Sequence, residues 1–84
     1  MKRKITRETE MLRNARLKMG YTQQEVATLI GMHVKAYQRL EYGERDIQNA
    51  SMRIGLAVCL VLGVDPIVLV FGGEFKAMAV FRTK

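Results

Sequence analysis

One short stretch constrains this chain more than any other: Thr22-Gln23-Gln24-Glu25-Val26, followed by Gly31. A threonine and a glutamate three positions apart form a capping box. The hydroxyl accepts from the Glu25 amide, and the carboxylate reaches back to the Thr22 amide. Tyr21 and Val26 stand where a hydrophobic staple closes the same helix end. These residues predict a helix over 23–30, stopped by Gly31, where a left-handed cap meets no Cβ penalty. The next helical pattern begins near His33, two or three residues later, and runs to about 41. Two helices of about eight residues joined by so short a turn form a helix-turn-helix rather than a hairpin of longer helices.

The rest of the chain keeps the same grammar. Glycines at 20, 31, 43, 63 and 72–73 punctuate it at intervals that suit short helices. Between them the apolar spacing is three and four, not two. Leu12, Ala15 and Met19 share one face, Val26, Leu29 and Ile30 a second, and Ala36, Tyr37 and Leu40 a third. Residues 51–71 are more apolar, with 15 of 21 hydrophobic and only Arg53 and Asp65 charged. Asp65-Pro66 pairs a cap with a proline at the first helical position, which divides this segment into helices over 51–62 and 66–71. Phe75, Ala77, Ala79 and Phe81 then alternate with Lys76, Met78, Val80 and Arg82. That pattern suggests a short C-terminal strand, and it sets a tail at 74–84 apart from one domain over 1–73.

Charge indicates the class of partner. The 84 residues carry a formal charge of +6, and so basic a small domain suits a polyanion, either nucleic acid or an anionic membrane surface. Residues 1–20 hold seven Lys/Arg against two acids, residues 21–50 three against four, and residues 51–84 four against two. General attraction therefore sits mostly before residue 21. The apolar run in 51–71 is broken by Gly63 and Asp65-Pro66 and is too short for a membrane span. A single cysteine, Cys59, leaves no internal disulfide and fits a reducing cytoplasm; it reads as a small buried hydrophobe. One histidine and one cysteine do not make a zinc cluster. With no catalytic carboxylate pair, nucleophile–histidine set or phosphate-binding glycine loop, neither an enzyme nor a cofactor is expected.

The run from Leu12-Arg13 through Ala15-Arg16, Gly20-Tyr21-Thr22-Gln23, Glu25-Val26-Ala27 and Ile30-Gly31 resembles the Cro/CI-type helix-turn-helix family, the lambdoid phage repressor or XRE-like domain. Tyr37, Leu40, Glu41 and Gly43 continue the match. Gly63-Val64-Asp65 and the apolar 67–71 are similar to that family's junction of fourth and fifth helices. The resemblance spans roughly 8–71 and implies an all-α, five-helix domain that binds double-stranded DNA with its third helix in the major groove. It implies that Gln23 meets a phosphate at the head of the second helix. It places Val34 and Lys35 at base-reading positions, and Gln38 and Arg39 where bases or phosphates are reached. The chemistry suits this. Lys35 or Arg39 can donate to guanine, Gln38 can pair with adenine, and Val34 can pack on a thymine methyl. His33 takes the cap position where the family usually has Ser or Thr, and histidine is a poor N-cap. The resemblance also pairs Arg16 with Glu41 as a structural ion pair.

The implied function is a sequence-specific transcriptional regulator, a repressor by the family's habit. Lys2, Arg3 and Lys4 form a basic arm that can reach phosphate or minor groove. Leu56, Ala57, Leu60 and Val61 make the fourth helix apolar nearly all round, so a homodimer is expected to cover the surplus. A different class of function, an antitoxin-like interaction module, would use the 74–84 tail to hold a partner protein.

Overall fold

A computed structural model of the chain describes residues 3–72. Five helices follow one another: α1 (Arg7–Met19), α2 (Gln23–Ile30), α3 (Val34–Tyr42), α4 (Met52–Leu62) and α5 (Pro66–Phe71), with a 3₁₀ turn at Ile47–Asn49 before α4. Each helix begins on a side chain that accepts from its own first turn. Thr6, Thr22, His33, Ser51 and Asp65 fill that role in order. The expected α2 cap forms as a full capping box, with Thr22 Oγ1 accepting from the Glu25 amide at 3.0 Å and Glu25 Oε1 accepting from the Thr22 amide at 2.8 Å. A second box, Thr6 with Thr9, starts α1 and carries a threonine where glutamate is usual.

His33 caps α3 after all. Its Nδ1 accepts from the Lys35 amide at 3.2 Å. The nitrogen lies as many bonds from Cα as an asparagine side-chain oxygen does, so the imidazole reaches the same orphan donor. The helix consequently starts one residue beyond His33 and runs to Tyr42. Between α2 and α3, Gly31 adopts φ 85°, its amide donating to the Ala27 carbonyl at 2.9 Å, while the Met32 amide reaches the same carbonyl. This Schellman-type closure makes the turn only three residues long.

The helices bury one small core. Leu12 of α1, Val26, Ala27 and Ile30 of α2, Tyr37 and Leu40 of α3, Ile47 of the 3₁₀ turn, Val58, Cys59 and Leu62 of α4, and Leu69 of α5 supply it. α2 packs on α3 and α4, α1 touches α3, α4 and α5, and α4 meets α5. Long-range polar contacts close the far end. Arg7 donates to the Val68 and Leu69 carbonyls at 2.8 and 2.9 Å, and Gln48 donates to the Val70 carbonyl at 3.0 Å. These carbonyls belong to the last turn of α5, where the Gly72 amide donates only to that of Val68, at 2.8 Å.

Two residues on the apolar faces stay largely in contact with solvent. Met19 and Leu29 are about half exposed, although each falls in phase with an apolar face. Met19 is the last residue of α1. The buried face of α2 centres on Val26, Ala27 and Ile30, which leaves Leu29 at its margin. The expected strand over 75–82 and the 74–84 tail lie outside the described residues. Among those residues there is no strand, and no helix is long and apolar enough to cross a membrane.

Candidate nucleic-acid interface

The orientation of α3 is fixed from its buried side. Tyr37, Leu40 and Glu41 are fully buried or nearly so. A helix that sinks positions 37, 40 and 41 must turn 35 and 39 outward and leave 34 and 38 on its flanks. Lys35 and Arg39 are exposed and one turn apart, while Val34 and Gln38 are partly covered. Val34 packs at the edge of the core, so its face is shared between protein and surroundings.

Beneath that face sits an ion pair with almost no access to water. Glu41 is 0% exposed, and it accepts from Arg16 Nε at 3.0 Å and from Nη2 at 2.8 Å. A further Arg16 nitrogen donates to the Tyr21 carbonyl at 3.0 Å, so the guanidinium ties α1, the loop before α2 and the end of α3 together. The hydrogen bonds to Glu41 push the Arg16 pKa up, against the opposing effect of burial. The Tyr37 hydroxyl lies beside this pair and has no hydrogen-bond partner among the described residues. Burial, then the Glu41 charge, pushes its pKa far above the ordinary tyrosine value. On the opposite side of the domain, burial and the nearby Asp65 raise the Cys59 pKa, as suits an inert buried thiol.

An open groove of about 760 Å³ runs from the head of α2 to the end of α3. Arg3, Arg13, Gly20, Thr22, Gln23 and Tyr42 are among its walls. Gln23 is the first residue of α2, so the groove meets the positive end of a helix as well as arginines. Three arginines line it with Glu41; Arg16 is paired with that carboxylate and Arg3 with Glu10, so the basic character of this concave surface comes chiefly from Arg13, which has no acidic partner among the described residues.

A family profile described as helix-turn-helix matches residues 12–69. The chain belongs to the Cro/CI-type, XRE-like helix-turn-helix family. Searches of curated proteins and of solved structures gave no match. In this helix-turn-helix protein the matched residues include α2, the turn and α3 entire, and they make it a DNA-binding regulator of the XRE type.

The predicted site residues fall on one side of the domain in two groups. His33, Val34, Lys35 and Arg39 mark α3 and its cap; Gln23 heads α2. Gln38 joins the groups, because its Nε2 donates to Gln23 Oε1 at 2.9 Å. The expected Arg16–Glu41 pair is present. The basic arm is not loose at its inner end. The Lys4 amide donates to the Tyr42 carbonyl, and Arg3 forms an ion pair with Glu10. Tyr42 stands outside the residues the sequence singles out, yet its hydroxyl accepts from Gln23 Nε2 at 3.3 Å. Its one sequence signal is its place a turn after Gln38, in the last turn of α3.

Proposed function

We propose that the protein is a transcriptional repressor that reads a short operator through the outward face of α3 in the major groove. The observation that carries this reading is the outward presentation of Lys35 and Arg39 from a helix locked by Tyr37, Leu40 and Glu41, beside the basic groove at the head of α2. Lys35 and Arg39 donate to guanine O6 and N7, and Val34 packs on a thymine methyl. Gln23, with the first amides of α2 and the His33-capped start of α3, meets phosphate. Arg3 and Arg13 add field rather than sequence preference.

A protein of this kind binds as a twofold dimer on half-sites about 34–36 Å apart. Support comes from the outer face of α4, where Met52, Leu56 and Leu60 recur every fourth residue at 79, 50 and 83% exposure. Ile67 and Val70 of α5 extend this apolar surface. Such a row is costly in water, and a second copy would cover it.

The test is selection of binding sites from random duplex DNA, followed by Lys35→Ala and Arg39→Ala on the selected site. Each is expected to cost about 1–3 kcal/mol at one base pair and to relax preference there. Unchanged footprints for both variants would refute the assignment of α3. Sedimentation equilibrium at micromolar concentration is expected to show a dimer; a monomer there would refute the role given to the α4 face.

A further inference from the structure

Three side chains from three parts of the interface form one chain of hydrogen bonds. Gln38 Nε2, in the middle of α3, donates to Gln23 Oε1 at 2.9 Å. Gln23 Nε2, at the head of α2, donates to the Tyr42 hydroxyl at 3.3 Å. The Tyr42 hydroxyl thus receives a proton and keeps its own, for which the described residues hold no acceptor. Gln23 keeps a second amide hydrogen in the same way. Gln23 and Tyr42 both line the basic groove with Arg3 and Arg13; Gln38 does not. The relay therefore has its closed end in the middle of α3 and its open, proton-bearing end at Gln23 and Tyr42, in the concave groove.

We propose that Gln38 does not read a base but positions Gln23, and through it the Tyr42 hydroxyl, so that two neutral donors grip a single DNA phosphate in the groove. The inference rests on the DNA-binding reading above and assigns new roles within that site. The ligand chemistry follows from the donors. Two hydrogen-bearing groups without acceptors, flanked by arginines and a helix N-terminus, suit an anionic oxygen with several lone pairs. A base edge is a poorer match, since it presents mixed donors and acceptors. Gln38 acts at one remove. Without its donation the Gln23 amide is free to rotate, and its carbonyl oxygen can then turn toward the phosphate and repel it. Because none of the three side chains is charged, the relay adds affinity without releasing more counterions.

The test is a double-mutant cycle on the full chain with a duplex selected by the wild-type protein. Gln38→Met and Tyr42→Phe keep volume and remove the hydrogen bonds. Each is expected to weaken binding roughly three- to tenfold, the weight of one neutral hydrogen bond. The loss should be the same on the selected duplex and on random DNA, with the salt dependence and the per-base preference unchanged. The double variant should bind no more weakly than the worse single variant, because both break the same relay. Thermal midpoints of all variants should stay close to wild type, which separates positioning from a folding defect. Relaxed preference at one base pair in Gln38→Met would overturn the proposal and return Gln38 to base reading. Multiplying losses in the double variant, or unchanged binding in Tyr42→Phe, would overturn it as well. Failure of the wild-type chain to select any duplex would sink the DNA-binding reading itself, and the relay with it.

Discussion

Replacing Arg16 by methionine removes the guanidinium but keeps most of the apolar stem, and it strands Glu41. That carboxylate is 0% exposed, and Arg16 supplies the hydrogen bonds that hold it at 2.8–3.2 Å. Breaking a buried pair in this way costs about 3–5 kcal/mol, because the remaining charge has neither water nor a partner. The lost bond to the Tyr21 carbonyl adds about 1 kcal/mol. A domain of this size holds roughly 4–13 kcal/mol in total, so the single variant should be close to unfolding. Its thermal midpoint should fall by roughly 16–48 °C. Arg16→Met combined with Glu41→Leu leaves no orphaned charge and should recover most of that loss. Urea unfolding followed by far-ultraviolet circular dichroism measures both. A single variant costing less than about 1 kcal/mol would refute the argument from burial. So would a double variant as unstable as the single one. The rescued variant should also keep its DNA affinity, since the pair is scaffold and not contact.

Two further outcomes follow from the same interior. The Tyr37 hydroxyl is buried without a hydrogen-bond partner among the described residues, and its folded pKa is raised above the unfolded value. Its contribution is therefore fully present below about pH 10 and is lost as pH rises beyond it, where the unfolded chain releases the proton first. Tyr37→Phe should be near neutral at pH 7 and should flatten the alkaline fall in stability; an unchanged alkaline profile would contradict this. Gly20 and Gly43 both hold positive φ, but an added Cβ at Gly20 meets nothing within 4 Å, whereas at Gly43 it stands 2.9 Å from Lys4 Cβ and its carbonyl oxygen. Gly20→Ala should cost about 1–2 kcal/mol from conformation alone. Gly43→Ala should cost clearly more by thermal unfolding, because it also expels the Lys4 segment from the end of α3; equal costs would refute that close approach.

Much of this protein was determined by the sequence alone. The helix ends were legible because caps act across two to four residues: Thr22 with Glu25, Gly31 after Ile30, Asp65 before Pro66. The observed 23–30 and 66–71 helices follow those signals to the residue. The family pattern likewise found the Arg16–Glu41 pair, though the two lie 25 positions apart. Tertiary structure decided the rest. Periodicity could not tell that Ala27 would be buried and Leu29 exposed, because which side of a short helix faces the core depends on how closely its neighbours approach. Nor could it bring Gln38, Gln23 and Tyr42 into one relay, or place Arg7 on the last carbonyls of α5. Those contacts join residues 15 to 62 positions apart. A hydrogen bond tolerates only a few tenths of an ångström, so such partners meet only once helix packing has fixed the position of each backbone.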